Sequence, residues 1–227
     1  MTTRKIFLSS QHARQDDANL FWGVIEHFRH SDNNSLCIDI GACYGSYSTK
    51  YASLFENVVC FEANHYIEVS LRKKLAGIKH NNIEIHMNGL GKPEDHNTEK
   101  LFCAVSWSPI KDPKEYSCAH WRGISSYDRD YLRRFPNEDV HIKEIKTIIK
   151  TLDSYNLAPS FIKIDVEGAE VDVIMGAMKT ILKYKPTLQV EEAEGSGSAE
   201  LIKSLGYRLI AHRTCHGALT DRLYVHG

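Results

Sequence analysis

The chain has 227 residues, enough for one compact domain with a sizeable core and short for two. Its 42% hydrophobic and 25% charged residues exclude the disordered, collagenous and coiled-coil classes. Lys and Arg (28) against Asp and Glu (29) leave a net charge of -1, which excludes a generic electrostatic grip on nucleic acid or an anionic membrane, although it leaves room for a local basic patch such as Arg129, Arg133 and Arg134. A single domain spanning 1–227 is therefore expected, with no nucleic-acid or membrane partner.

No apolar run suits a signal peptide or a membrane helix, so the chain reads as cytoplasmic. The 6 cysteines lack the short spacings of a secreted disulfide scaffold and read as reduced thiols. In chain order, Leu20, Phe21, Val24, Ile25 and Phe28 predict an amphipathic helix over about 16–30, within an N-terminal helical segment 1–34. Leu36–Ile40 predicts a buried parallel strand ending at Gly41. A helix carrying Tyr47, Tyr51, Leu54 and Phe55 follows, then a strand through Val58–Phe61 that closes on Glu62. A second helix bears Val69, Leu71 and Leu75, and a third strand runs through Ile83, Ile85 and Met87 to Asn88 and Gly89.

The alternation stops over 91–141, where four prolines punctuate a polar and aromatic stretch with only short strand-like pieces. It reads as an insertion or acceptor lid. The next segment, Ile142 to Leu152, fits a helical period and has the β-branched density of a strand, so both readings stand. Phe161–Asp165 predicts a fourth strand, followed by a helix with Val171, Ile174, Met175, Met178, Ile181 and Leu182 on one face. Leu188–Glu191 predicts a fifth strand, Ala199–Leu205 a short helix, and Tyr207–Ile210 with Arg222–Val225 an antiparallel pair. The fold class is α/β and Rossmann-like, with helices on both faces of a mostly parallel sheet.

Ligands of such sheets bind outside the carboxyl ends of the strands, so the residues that close strands are the informative ones. Asp39, Gly41 and Gly45 close the first and open its turn; Glu62 closes the second, Asn88 and Gly89 the third, Asp165 and Glu167 the fourth, Glu191 and Glu192 the fifth. Glu62 stands about 20 positions after Gly41, where a carboxylate can accept both hydroxyls of a ribose. The turn Gly41-Ala42-Cys43-Tyr44-Gly45-Ser46 lacks the middle glycine that makes room for a pyrophosphate. Asp39 beside it repels phosphate and attracts a cationic amino group. Together these favour an adenosine ligand with a positive charge and no phosphate, S-adenosyl-L-methionine, with S-adenosylhomocysteine as product. The expected cofactor-binding residues are Asp39, Gly41, Ala42, Gly45, Ser46, Glu62, Ala63, Asn88, Gly89 and Asp165.

The stretches Cys37-Ile38-Asp39-Ile40-Gly41-Ala42-Cys43-Tyr44-Gly45, Val59-Cys60-Phe61-Glu62-Ala63-Asn64, Thr151-Leu152-Asp153-Ser154-Tyr155, Phe161-Ile162-Lys163-Ile164-Asp165-Val166-Glu167-Gly168-Ala169-Glu170 and Lys185-Pro186-Thr187-Leu188 resemble the FkbM-type S-adenosylmethionine-dependent methyltransferases. The resemblance covers about residues 35–192. Ala63 stands where that family more often has proline, and Tyr44 where it often has an aliphatic residue. The resemblance implies a seven-stranded class I methyltransferase sheet and O-methylation of a hydroxyl on a sugar or other small-molecule acceptor.

In-line methyl transfer needs positioning of donor and acceptor, plus a base when the nucleophile is an alcohol. Asp165, Glu167 and Glu191 are the catalytic candidates. A divalent cation such as Mg²⁺ held by Asp165 with Glu191 or Glu192 is the less favoured reading, and no metal is expected. Lys163 reads as an ion-pair partner of Asp165. His212, Cys215 and His216 lack a fourth ligand for zinc, and Trp107, Tyr116, Trp121 and Tyr127 suit either an acceptor pocket or a satellite core. A nicotinamide-dependent oxidoreductase and a non-catalytic cofactor-binding module are the rival functions. A homodimer is compatible with the sequence.

Overall fold

The computed structural model describes residues 6–7, 21–26, 35–79, 81–106, 121–132, 140–192, 195–214 and 220–227. It opens with a two-residue strand, β1 (Ile6–Phe7), and helical residues 21–26 (α1), the described part of the predicted first helix. Then β2 (Leu36–Ile40), α2 (Ser46–Tyr51), β3 (Asn57–Phe61), α3 (Glu68–Ala76) and β4 (Ile83–His86) form two consecutive βαβ units, with β2, β3 and β4 parallel and adjacent. All five residues of β2 are buried, as a strand covered by helices on both faces requires.

The chain then leaves the main sheet. Strands β5 (Gly89–Leu90), β6 (Glu99–Ser106) and β7 (Trp121–Ser126), helix α4 (Arg129–Leu132) and strand β8 (Val140–Lys150) follow, and the strands form a second sheet in the order β5-β8-β6-β7. Among the described residues of 91–141, the strands are longer than the short pieces the sequence suggests. The two readings of Ile142–Leu152 resolve as a strand: Ile145, Thr147 and Ile149 are buried while Glu144, Lys146 and Ile148 are exposed, a period of two.

Strand β9 (Phe161–Ile164) returns to the main sheet, followed by α5 (Glu170–Gly176), α6 (Met178–Tyr184), β10 (Thr187–Glu192), α7 (Ser198–Ser204), β11 (Tyr207–Thr214) and β12 (Thr220–His226). The strand order is β1-β11-β12-β10-β9-β2-β3-β4. Apart from the two-residue β1 at the edge, this is the expected seven-stranded, mostly parallel sheet, with β11 and β12 as its antiparallel C-terminal pair.

The single helix predicted after β9 is two. It breaks at Ala177, next to Gly176, whose backbone lies so close to the Gly91 carbonyl that a β-carbon there would stand 1.9 Å from its oxygen. The break shifts the buried stripe onto Val173, Ile174, Ala177 and Ile181, leaving Met175 (38%) and Leu182 (52%) exposed. Residues alternate along the strands between two cores. Cys37, Val58, Cys60 and Phe161 face α1, α2 and α3, whereas Ile38, Ile40, Ile162, Ile164, Leu188 and Val190 face α5, α6 and α7.

Candidate cofactor and acid site

The chain continues from β2 to β3 on one side of the sheet, while β9 pairs with β2 on the other. The strand order therefore reverses between β2 and β9, and their carboxyl ends open the crevice where ligands of doubly wound sheets bind. Gly41 and Asp165 face each other across it. Gly41 adopts φ 77°, and its N–H and that of Ala42 both donate to the Phe61 carbonyl, at 3.0 and 3.1 Å. A β-carbon at position 41 would lie 1.7 Å from the Asp165 carbonyl oxygen, so only glycine lets the two strand ends approach this closely. Gly45, at φ 75°, caps α2 against Leu71 and Leu75.

Below the turn, strand pairing sets Gln189, Lys163, Asp39 and Cys60 side by side on one face of β10, β9, β2 and β3. Asp39 is fully buried; its Oδ2 accepts from Ser48 Oγ at 2.6 Å, and its Oδ1 lies 3.4 Å from Lys163 Nζ. Lys163 Nζ also lies 3.1 Å from Asp165 Oδ2 and 4.8 Å from the centre of the Tyr47 ring. Burial alone would lower the lysine pKa, but Asp165 and Asp39 outweigh it and hold the ammonium well above its ordinary value. Helix α2 is fastened over this row. Tyr51 Oη donates to Gln189 Oε1 at 2.8 Å and Tyr47 Oη to Asp221 Oδ2 at 2.8 Å. Asp39 thus lies behind the turn, linked to Asp165 through Lys163.

Glu62, 6% exposed, holds two loops together: Oε2 accepts the Cys43 N–H and Oε1 the Asn64 N–H, both at 2.7 Å. Each oxygen keeps a second lone pair. Burial raises the carboxyl to about 7 despite these two donors. Ala63 packs in an apolar cluster with Cys43, Tyr44, Ile67, Tyr127 and Ile145. Asn88 is buried, its Oδ1 accepting from Tyr155 Oη at 2.8 Å and its Nδ2 donating to the Gly89 carbonyl. Ser46 is exposed at the start of α2, where its Oγ accepts from Lys74 Nζ.

The three acid candidates meet. Asp165, Glu167 and Glu191 each place a carboxylate oxygen within 4.8 Å of the others, a set that suits either a shared proton or an oxygen-liganded divalent cation. Glu192, the other acid weighed for a metal, is turned away and buried among Ser198, Tyr224 and Arg222. Burial first, then Asp165, Asp221 and Glu167, push Glu191 up to about 9. Glu167 sits at φ 53°, a left-handed conformation that a non-glycine residue adopts only when its surroundings impose it.

Sequence reasoning missed Ser48, Tyr47, Tyr51 and Asp221, which tie the row to α2, and the roles of Tyr127 and Tyr155. Tyr47 and Tyr51, one helical turn apart, left a signal that read as core, and Tyr127, read as acceptor pocket or satellite core, packs in the small cluster around Ile67 and Ile145. Cys215, His216, Trp107, Tyr116, Arg133 and Arg134 lie outside the described residues, as does the side chain of Trp121.

A family model described as the methyltransferase FkbM domain matches residues 39–209. The chain belongs to the FkbM methyltransferase family. Its match spans the glycine turn, the acid trio and β10, and so includes every strand end that lines the crevice. No curated protein matches the chain. Among solved structures, the methyltransferase FkbM from Methylobacillus flagellatus KT superposes with a TM-score of 0.55 at 19% identity, over 87% of this chain and 44% of that one. The present chain therefore spans under half of that protein. An rRNA methylase from Streptococcus thermophilus gives 0.49 at 10% identity, over 92% and 95% of the two chains. A precorrin-6y C5,15-methyltransferase from Geobacter metallireducens GS-15 gives 0.48 at 11% identity, over 98% and 93%.

Proposed function

We propose that the protein is an S-adenosyl-L-methionine-dependent methyltransferase that methylates a hydroxyl on a small-molecule or saccharide acceptor. The observation that carries this reading is the placement of Glu62 and the acid trio on opposite sides of the glycine turn at the switch point. Glu62 retains one lone pair on each oxygen, which fits a vicinal diol. Asp165 and Glu167 beside the turn create a field that favours a cationic ligand and opposes a diphosphate, which weighs against a nicotinamide dinucleotide.

When bound, S-adenosylmethionine supplies an electrophilic methyl group. This chain's residues do the rest. Glu62 orients the ribose, Asn88 and Gly89 flank the base, and Gly41, Ala42, Gly45 and Ser46 shape the turn around the amino-acid end. Lys163 fixes Asp165 through their ion pair. Glu191, raised to about 9, carries a proton at neutral pH, so it donates a hydrogen bond, and Asp165 or Glu167 takes the proton from the acceptor hydroxyl. We assign the acceptor side to the second sheet, β5 to β8. No helix among the described residues is long and apolar enough to cross a membrane, and we place the enzyme in the cytoplasm with a small acceptor as its partner.

The test is a coupled assay of S-adenosylhomocysteine release against a panel of sugar and phenolic hydroxyl acceptors. Turnover with a hydroxyl acceptor that Asp165→Asn abolishes supports the reading. Cofactor binding without turnover on any acceptor of the panel would favour a non-catalytic binding module.

A further inference from the structure

The first described residue after β7 is Tyr127. Its hydroxyl donates to the Leu90 carbonyl at 3.2 Å, and the phenol end of its ring abuts Gly89, where a β-carbon would stand 1.9 Å from the hydroxyl oxygen. It belongs to the same apolar cluster as Cys43 and Tyr44 of the glycine turn and Ala63 beside Glu62. Burial, and next the Glu62 charge, raise its hydroxyl pKa. Two residues earlier, Ser125 Oγ accepts from Asn64 Nδ2 at 3.2 Å, so the end of β7 is joined to the loop after β3 as well.

The residue that follows the second sheet's β7 therefore touches the chain after β4 directly and shares one small apolar cluster with residues of the loops that close β2 and β3. We infer that Tyr127 is a cofactor-contact residue whose ring forms a wall of the adenine subsite. The inference rests on the S-adenosylmethionine reading. An aromatic face beside a purine contributes through stacking, whatever hydrogen bonds the edges of the base make elsewhere. Gly89 has its own reason in this arrangement, because any side chain there would displace the ring. The second sheet then has a role at the donor as well as at the acceptor side.

The test is calorimetric titration of S-adenosylhomocysteine into the full chain and into Tyr127→Phe and Tyr127→Leu, with melting curves of each. Tyr127→Phe keeps the ring, and Tyr127→Leu keeps apolar bulk for the cluster without a π face. Tyr127→Phe is expected to stay within about 3-fold of the parent, and Tyr127→Leu to lose about 10-fold. If Tyr127→Leu melts early, the comparison is made below its transition, and should it still not fold, Tyr127→Phe against Tyr127→His decides it: the expectation is that both aromatic rings bind. Equal affinity in Tyr127→Leu overturns the inference, and tighter binding does so too, since the ring would then obstruct the site. A parent that melts cooperatively yet binds no S-adenosylhomocysteine contradicts the cofactor reading itself, a different result from equal affinities.

Discussion

The carbonyl oxygen of Asp165 occupies the space where a side chain on residue 41 would begin: 1.7 Å separates it from the β-carbon that any residue but glycine would carry. The glycine turn and the acid trio are thereby built against each other, and a change in one displaces the other.

Gly41→Ala should therefore be severe. The left-handed φ adds roughly 1 kcal/mol of strain, and the clash with Asp165 forces β2 and β9 apart at the switch point. The expected outcome is a loss of more than about 3 kcal/mol in urea unfolding, or no folded protein. A variant within about 1 kcal/mol of the parent would mean that the strand ends separate freely.

Lys163 is held between Asp39 and Asp165 in a fully buried position. Removing one partner of a buried ion pair leaves a charge uncompensated, at about 3–5 kcal/mol. Lys163→Met should be destabilised by that order, and Lys163→Met with Asp39→Asn should recover part of it. Strictly additive losses in the double variant would show that the two residues do not interact.

Glu191 gives a pH signature. Its folded pKa of about 9 lies above the ordinary 4.5, so the folded state binds the proton more tightly than the unfolded state does. Its contribution to stability is fully present below pH 4.5 and is lost as pH rises toward 9. Thermal melts should show the parent losing stability from pH 6 to 9, with Glu191→Gln losing less over the same range. Parallel slopes would remove Glu191 as the titrating group.

Glu62 titrates lower, at about 7, and binding follows the opposite trend to stability. Its stabilising contribution is again largest at low pH and fades as pH rises from 4.5 through 7. Ribose hydroxyls, however, need the ionised acceptor, so affinity for S-adenosylhomocysteine should increase between pH 6 and 8 and level off above. The slope should vanish in Glu62→Gln.

The central sheet was legible because its strands are buried on both faces and read as unbroken apolar runs between glycine and acid punctuation; Leu36–Ile40 and Phe161–Ile164 are the clearest cases. The second sheet was obscured. Ile142 to Lys150 alternates in burial, yet Ile148 is an exposed apolar residue on the polar side, and that blurred the period. Beside the break at Ala177, Gly176 packs against Gly91, far away in the chain, and no local pattern carries that contact. At the site, the acids that close strands could be named from their positions. The backbone bonds of Glu62 and the seating of Asp39 behind the turn arise from tertiary packing, which one sequence does not display.

The most direct test of the account is calorimetric titration of S-adenosylhomocysteine into the parent and into Glu62→Ala at pH 8. The account predicts saturable binding to the parent at one site per chain. It predicts binding about 10–150-fold weaker in the variant, the loss of one or two charge-assisted hydrogen bonds worth about 1.5–3 kcal/mol. Unchanged affinity in Glu62→Ala, or a parent that binds NAD or NADP and ignores S-adenosylhomocysteine, would contradict it.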